Sequence, residues 1–333
     1  MQPALVAARP QLRACQCATR PPLRSGSAWC QNGNVNQEQF EKIRSGLGFF
    51  AALDQSGGST PGALAEYGIP KDRYNSDAEM FDLVHAMRTR VITSPAFDGT
   101  RILAAILFEQ TMERDIDGVP SAQYLWERKN VVPFLKVDLG LADAANDVQL
   151  MKPIVTLDNL IERAQQHRIF GTKMRSVIKD ANEAGIAAIV DQQFEYADRI
   201  RAGGLVPIME PEVSIASPNK RQAETLLRDA IHQRLEALPQ DAVVMFKITI
   251  PDERGLYGSV ASDPRVLRVL ALSGGYSRDE ACALLAQDPT ITASFSRALL
   301  AGLTAEQTDA EFNAELELSI AEIYKASARR ELA

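Results

Sequence analysis

Hydrophobic residues after about Asn36 come in eight short runs, most of them separated by longer segments with helical periodicity. Short runs rich in β-branched and aliphatic residues predict buried strands, and apolar residues spaced three to four apart predict amphipathic helices. The predicted strands are 48–54, 101–108, 132–138, 171–177, 204–212, 242–251, 266–273 and 291–299. The predicted helices are 77–91, 157–166, 178–185, 188–202, 219–238, 278–287 and 309–327.

Strands that alternate with helices predict a parallel sheet covered by helices. Eight such units over residues 37–333 predict an α/β fold of one domain, a closed (β/α)8 TIM barrel. A doubly wound open sheet is the structural rival, but its glycine fingerprint is missing. The glycine pairs at 57–58 and 274–275 do not have the required spacing.

The sixth run, AVVMFKITIP at 242–251, places Lys247 among apolar neighbours. A charged ammonium is costly inside an apolar strand, so such a lysine either has a lowered pKa or pairs with a carboxylate. With a lowered pKa it is a nucleophile that forms a Schiff base with a carbonyl compound. The alternative is a lysine near a strand end whose amine reaches water.

Polar residues near the ends of the other strands favour a functional site, because barrel enzymes place their chemistry at the C-terminal ends of the strands. Residues two apart on a strand share a face, so we expect these side chains to point into one interior. They are Asp54, Lys136, Asp138, Lys173, Arg175, Glu210, Glu212, Ser273 and Arg297.

These polar groups suit the chemistry of a nucleophilic amine. Lys136 and Lys173 near Lys247 would lower its pKa by repulsion, in addition to burial. Glu210 would help to remove the hydroxyl group of a carbinolamine, and Asp54 would handle the proton in carbon–carbon cleavage.

The last two strands end in groups that suit an anion. Ser273, Gly274 and Gly275 offer a hydroxyl and backbone amides, and Arg297 offers a planar fork for phosphate. The loops after strands seven and eight are where barrel enzymes often hold phosphate.

Composition narrows the classes of partner. The chain has 333 residues, 46% of them hydrophobic, and a net charge of −7, which argues against nucleic acid as the main partner. No apolar run approaches the ~20 residues of a membrane-spanning helix. The histidines, His85, His167 and His232, are not at ligand spacing, so we expect no metal and no cofactor. The four cysteines form neither a disulfide framework nor a zinc pattern.

Residues 1–36 differ from the rest, since they are rich in arginine and contain no acidic residue before Glu38. That composition is typical of an organelle transit peptide. A disordered tail and a start codon placed too far upstream are the alternatives. We therefore expect a cytoplasmic protein, or one of a plastid or other organelle if the segment is a transit peptide.

Seven motifs appear in an order that resembles the short, bacterial-type class I (Schiff-base) fructose-1,6-bisphosphate aldolases. They are ALDQSGGST at 52–60, PFLKVDLG at 133–140, GTKMRSV at 171–177, GLVPIMEPE at 204–212, FKITIP at 246–251, LSGGYS at 272–277 and ASFSRAL at 293–299. The resemblance extends from about residue 36 to the end. It implies a metal-independent lyase of glycolysis and gluconeogenesis that cleaves its substrate reversibly to dihydroxyacetone phosphate and glyceraldehyde 3-phosphate.

The resemblance also implies roles for individual residues. Lys247 resembles the Schiff-base lysine, Glu210 the acid/base of the imine, and Asp54 the carboxylate that assists bond cleavage. Lys136 and Lys173 resemble the lysines around the sugar phosphate, with Lys173 counted as catalytic, and Arg175 and Glu212 are supporting charges. The phosphate and hydroxyl ligands correspond to Ser56, Ser59, Ser273, Gly274, Gly275 and Arg297.

The chain departs from the longer animal and plant enzymes in three places. It lacks their basic residue after the first Gly-Ser turn, and it has Ser294-Phe295-Ser296-Arg297 where they have serine-tyrosine-glycine-arginine. It also lacks their C-terminal tyrosine, and Tyr324 is predicted to pack within a helix. The group that moves the enamine proton therefore stays open.

Other functions remain as alternatives. One is another Schiff-base barrel enzyme acting on a sugar monophosphate, of the transaldolase or deoxyribose-phosphate aldolase kind, although two anion-binding groups favour a bisphosphate. The other is a non-catalytic scaffold barrel, which would predict loss of the nucleophile or of its partners. Assembly into a homo-oligomer is left open.

Overall fold

A computed structural model of the chain describes residues 36–328. Eight strands form its barrel: β1 Phe49–Leu53, β2 Ile102–Leu107, β3 Val132–Lys136, β4 Gly171–Ile178, β5 Val206–Val213, β6 Val244–Thr249, β7 Val266–Leu272 and β8 Thr292–Phe295. Neighbouring strands pair in parallel in the order β3-β2-β1-β8-β7-β6-β5-β4, and the pairing of β3 with β4 closes the ring. The predicted (β/α)8 barrel is confirmed, and each predicted strand overlaps one strand of the ring.

Helices surround the ring. They are α1 Gln37–Ser45, α2 Thr60–Glu66, α3 Asp77–Thr93, α4 Glu109–Met112, α5 Ser121–Lys129, α6 Leu157–Gln166, α7 Glu183–Ala202, α8 Lys220–Ala237, α9 Gly258–Ser262, α10 Arg278–Leu285, α11 Arg297–Leu300 and α12 Asp309–Ser327. A short antiparallel pair, Asp115–Ile116 with Val119–Pro120, precedes α5. A two-residue strand, Val148–Gln149, lies antiparallel on the end of β4.

The prediction of two helices at 178–185 and 188–202 is wrong. Ile178 is the last residue of β4, and a single helix, α7, follows after Asn182, whose side chain accepts a hydrogen bond from the N–H of Gly185. Gly185 does not end a helix here. A Cβ at this glycine would lie 2.2 Å from the carbonyl oxygen of Asn146, so the glycine allows α7 to approach the chain before Val148–Gln149 closely.

Apolar side chains fill the lower half of the barrel. Phe50, Phe134, Ile208 and Met245 are fully buried in one cluster inside the ring, and the rings of Phe50 and Phe134 are 5.6 Å apart. A second cluster lies between the strands and the surrounding helices. The barrel is therefore a packed core rather than a pore, and only its upper end is left for chemistry.

Helix α1 closes the lower end of the barrel. Its residues Phe40 and Ile43 belong to the inner cluster. From β7, the buried Arg268 donates hydrogen bonds to the carbonyl oxygens of Ile43 (2.8 Å), Arg44 (3.2 Å) and Gly46 (2.9 Å). Ile43 and Arg44 are among the last residues of α1, whose carbonyl oxygens lack a partner within the helix, and Gly46 directly follows it, so one guanidinium ties the helix to the barrel.

Most of the N-terminal extension expected from composition lies outside the described residues. Asn36 is the exception, because its side chain accepts hydrogen bonds from the N–H groups of Glu38 and Gln39 and so caps α1. Within residues 36–328, no helix has both the length and the hydrophobicity needed to cross a membrane.

Replacing Arg268 by leucine should lower the free energy of unfolding by about 3 kcal/mol, because several buried carbonyl groups lose their donor together. Urea unfolding followed by circular dichroism measures the change. Arg221→Leu, at a side chain that is 69% exposed, is the matched control and should stay within about 0.5 kcal/mol of wild type. A loss no larger than that of the control would contradict the assigned role of Arg268.

Candidate active site

A cavity of about 610 Å³ opens at the C-terminal ends of the strands. Every barrel strand except β2 contributes to its wall, directly or through the loop that follows. Of the candidate residues, the wall contains Asp54, Ser56, Ser59, Lys136, Asp138, Lys173, Arg175, Glu210, Glu212, Lys247, Ser273, Gly274 and Arg297. Gly275 is not in the wall, but a Cβ placed on it would lie 4.0 Å from Arg297 Nη2. The fold therefore brings the candidate residues together at one end of the barrel.

Four buried charges of alternating sign form a chain across this cavity. Lys247 Nζ lies 2.8 Å from Glu210 Oε1, and Glu210 Oε2 lies 2.9 Å from Lys173 Nζ. Lys173 Nζ in turn lies 2.6 Å from Asp54 Oδ2. All four residues are at most 8% exposed, so these contacts are made away from water. We call this set the charge chain.

The two-residue repeat of the strands places the charge chain. Met245 and Lys247 face inward on β6, as Ile208 and Glu210 do on β5. The pairing of Ile208 with Met245 puts these two strands in step, so the lysine and the glutamate reach the same level. The inward positions change from apolar to charged toward the C-terminal end, where the cavity begins.

The charge chain fixes its own ionisation. Burial alone would raise the pKa of Asp54 and Glu210, but the positive charges of Lys173 and Lys247 outweigh it and hold both pKa values below their ordinary range. Burial would lower the pKa of Lys173, but Asp54 and Glu210 raise it well above the ordinary value. In the free protein both carboxylates are therefore negative and Lys173 is positive.

The contacts of Lys247 show one of the two outcomes expected for a buried lysine. It pairs with a carboxylate, and Glu210 lies between it and Lys173. Lys136 likewise pairs with its own carboxylate, Asp138 Oδ1, at 2.6 Å. The alternative in which Lys247 reaches out to water is wrong, because its side chain is only 6% exposed.

Arg175 and Glu212 form a further pair at the mouth of the cavity. Arg175 Nε donates to Glu212 Oε2 at 2.6 Å. Burial would lower the pKa of Arg175, but this hydrogen bond and the charge of Glu212 raise it. The pair is half-buried, which suits the supporting role expected for both residues.

Two turns at the rim offer hydrogen-bond donors. Gly274 and Gly275 have φ values of +63° and +114°, a region that favours glycine. This lets the backbone after Ser273 approach a ligand without a side chain in between. Across the cavity, the Ser59 hydroxyl donates to the Ser56 carbonyl oxygen and accepts from the Ser56 N–H, both at 3.0 Å, which closes a tight turn.

Several residues of the site were not selected from the sequence. Gln55 and Ser296 line the cavity and are bonded to each other, with Gln55 Nε2 donating to Ser296 Oγ at 2.5 Å. Ser294, also in the wall, is buried and its hydroxyl has no hydrogen-bond partner among the described residues. Both serines lie inside a quoted motif, Ser294 on β8 and Ser296 directly after it, so the two-residue spacing within the predicted strand 291–299 was a usable signal for them.

Arg88 was also missed, and no pattern in the sequence marks it. It lies on α3, outside the ring, and is fully buried. Its Nη2 donates to the carbonyl oxygen of Gln55 at 2.5 Å, and its Nη1 donates to Thr111 Oγ1 at 2.8 Å. It therefore supports the turn after Asp54 from behind the barrel wall.

The histidines lie elsewhere. Nε2 of His85 is 3.0 Å from the carbonyl oxygen of Asp115, Nε2 of His232 is 2.7 Å from Ser259 Oγ, and His167 lies just after α6 rather than within a helix. None of them lines the cavity. In the part of the chain that the structure describes, no group of histidine, cysteine and acidic residues is arranged to hold a metal ion.

A (β/α)8 barrel with a buried lysine joined to carboxylates at its C-terminal end defines a lysine-dependent barrel enzyme as the class of protein. The model of the family "Fructose-bisphosphate aldolase class-I" matches residues 48–246, and the chain belongs to that family.

Relatives and a solved structure agree with this membership. The chain is 59% identical over 292 residues to fructose-bisphosphate aldolase class 1 of Synechocystis, covering 88% of this chain and 97% of that protein. It is 55% identical over 293 residues to the protein of the same name from Porphyromonas gingivalis, covering 88% and 99%. A structure of fructose-bisphosphate aldolase from Plasmodium falciparum shares the fold, with a TM-score of 0.63, 20% identity and coverage of 89% and 97%.

Replacing Lys173 by methionine should weaken the acid dependence of stability. In the wild type, the carboxyls of Asp54 and Glu210 have depressed pKa values, so the unfolded state binds more protons in acid. Their stabilisation is present above their ordinary pKa values of 3.8 and 4.5 and is lost as the pH falls. Without the Lys173 ammonium, both pKa values rise and the loss on acidification becomes smaller.

Urea unfolding at several pH values between about 3 and 7 tests this expectation. At neutral pH, Lys173→Met should also be less stable than wild type by about 3 kcal/mol, because two buried carboxylates lose a shared partner. The exposed Lys325→Met should follow the wild-type curve. Equal acid dependence in Lys173→Met and wild type would show that Lys173 does not hold the pKa values of the carboxyls down.

Proposed function

We propose that this chain cleaves fructose 1,6-bisphosphate reversibly to dihydroxyacetone phosphate and glyceraldehyde 3-phosphate through an imine on Lys247. The observation that carries the assignment is the buried amine of Lys247, 2.8 Å from Glu210, at the base of a cavity with anion-binding turns on its rim. The family places the reaction in glycolysis and gluconeogenesis. The expected metal independence follows from imine chemistry, in which the amine itself activates the carbonyl carbon.

Imine formation uses Lys247 and Glu210. The ammonium of Lys247 gives a proton to Glu210 Oε1, and the neutral amine attacks the substrate ketone carbon. Glu210 then returns a proton to the carbinolamine hydroxyl, which leaves as water and yields the iminium. A distance of 2.8 Å between the two groups is within hydrogen-bond reach for these proton transfers.

Carbon–carbon cleavage uses Asp54. The carboxylate accepts the proton of the hydroxyl on the carbon beyond the bond that breaks, and the bonding electrons move into the iminium to give a neutral enamine. Lys173 lies 2.6 Å from Asp54 and 2.9 Å from Glu210, so it holds both carboxylates in position and balances their charge during these steps. Hydrolysis of the imine, after protonation of the enamine, releases the second product.

The rim turns bind the phosphates in this proposal. Ser273, Gly274 and Gly275 present a hydroxyl and backbone amides beside Arg297, and Ser56 and Ser59 lie in the turn after β1. Lys136, Arg175 and Glu212 line the cavity between these turns and contact the sugar. Two anion-binding turns in one cavity favour a bisphosphate over a sugar monophosphate.

Borohydride reduction in the presence of dihydroxyacetone phosphate should inactivate the protein and label Lys247. Peptide mapping by mass spectrometry identifies the labelled residue. Lys220 is an internal control, since it is buried to a similar degree but pairs with Glu224 and Asp252 outside the cavity. Lys247→Met should abolish both labelling and turnover while circular dichroism stays unchanged, and EDTA should leave activity intact.

Labelling at another lysine, or turnover retained by Lys247→Met, would reject the imine on Lys247. Activity that is lost in EDTA and restored by a metal ion would reject the metal-independent mechanism.

Comparison of two substrates tests the preference for a bisphosphate. We expect kcat/KM for fructose 1,6-bisphosphate to exceed that for fructose 1-phosphate by at least about tenfold, because hydrogen bonds to a charged group contribute about 1.5–3 kcal/mol. Steady-state assays of aldol cleavage measure both values. Equal efficiency with both substrates would contradict the preference for a bisphosphate, and a higher kcat/KM for fructose 1-phosphate would support an enzyme specific for sugar monophosphates.

A further inference from the structure

Gln55 connects two parts of the active site that are far apart in sequence. It follows Asp54 directly, at the end of β1, and its side chain is bonded to Ser296, which precedes Arg297 after β8. Gln55, Ser296 and Arg297 all line the substrate cavity. A single amide group thus joins the turn after β1 to the residue beside the candidate phosphate-binding arginine.

The backbone of Gln55 is held without help from its side chain. Its carbonyl oxygen accepts a hydrogen bond from the buried Arg88 at 2.5 Å, and Thr60 Oγ1 lies 3.5 Å from the same oxygen. The turn after Asp54 therefore has its own support from α3 and α2. The side-chain bond to Ser296 is not needed to keep this turn in place, so it acts on the other partner.

That other partner is Ser296, directly before α11, where the side-chain bond from Gln55 adds to the hydrogen bonds that the Ser296 carbonyl oxygen accepts from Leu299 and Leu300, both at 3.1 Å. Arg297 is exposed and begins a helix of only four residues. Its guanidinium makes no hydrogen bond or ion pair with other residues of the described part of the chain. The bond from Gln55 to Ser296 ties the chain to the barrel wall at the residue directly before Arg297.

Arg297 also has more than one cavity within its reach. A neighbouring cavity of about 360 Å³ is lined mostly by apolar residues, among them Tyr67, Met87 and Leu303. Gln55 and Arg297 line both cavities. Because the Arg297 guanidinium lacks a fixed partner in the described part of the chain, its backbone must be held in place if the side chain is to stay in the substrate cavity rather than in the neighbouring one.

We propose that Gln55 is a positioning residue that sets the affinity for substrate phosphate by holding Ser296 and, through it, Arg297 at the cavity. The inference rests on the proposed aldolase function but adds a residue to it.

The test compares Gln55→Leu, Ser296→Ala and the double variant in steady-state cleavage of fructose 1,6-bisphosphate. Loss of one hydrogen bond should raise KM about fivefold, with kcat within about twofold of wild type, since the charge chain is untouched. The double variant should be no worse than either single variant, because both remove the same bond. Ser296→Thr keeps the hydroxyl and should restore the wild-type KM.

A second comparison asks whether the effect passes through Arg297. In an Arg297→Ala background, KM should already be raised, and adding Gln55→Leu should change it no further. Gln192→Leu is the matched control. Gln192 is also half-buried and bonded through its side chain, to Met151, but it lies outside the cavity, so KM should not change. Thermal unfolding followed by circular dichroism verifies that all variants are folded.

The outcomes separate this inference from the function on which it rests. An unchanged KM in an active Gln55→Leu, a loss of kcat alone, or additive effects of Gln55→Leu and Arg297→Ala would each overturn the role of Gln55. Failure of the wild type to cleave fructose 1,6-bisphosphate would overturn the proposed function, and the inference with it.

Discussion

The alternation of sign along the buried chain Lys247, Glu210, Lys173 and Asp54 is the constraint on which the site depends. Taking an ion out of water costs several kcal/mol, and only close opposite charges with good geometry offset that cost. The members come from β6, β5, β4 and β1, so a strand that moved out of register would leave a charge without its partner. Barrel closure and the chemistry therefore impose the same geometry on the strands.

The lower half of the barrel makes this arrangement effective. Phe50, Phe134, Ile208 and Met245 fill the space beneath the charges, and α1 closes the end below them. An apolar floor keeps water from the underside of the charge chain and lowers the local dielectric constant, so each ion pair interacts more strongly than it would in solvent. The same residues that stabilise the fold thus strengthen the electrostatics of the site.

Much of the fold and of the candidate site was predictable from the sequence. The two-residue alternation along a strand indicates both where the strand lies and which face each of its side chains occupies. The apolar run around Lys247, and the pairs such as Lys173 with Arg175, were enough to place the cavity. The sharing of Glu210 between Lys247 and Lys173 was not predictable, since contacts across a barrel depend on register between strands and not on spacing within one. Arg88 and Gln55 were missed for a related reason. The guanidinium of Arg88 reaches the site from α3, so no strand periodicity marks it. The role of Gln55 depends on its contact with Ser296, which is far away in sequence.

The shared position of Glu210 explains how one carboxylate can serve as both base and acid in the proposed cycle. Its pKa is lowered by the positive charges of Lys173 and Lys247. When Lys247 gives up its proton to become a nucleophile, one of these charges disappears, so the pKa of Glu210 rises and the carboxyl retains the proton it has received. When the nitrogen becomes a positively charged iminium, the pKa falls again and favours release of that proton to the departing hydroxyl. The charge on a single nitrogen atom therefore sets the direction of proton transfer, while the Lys173 amine lies 2.9 Å from the other oxygen of Glu210.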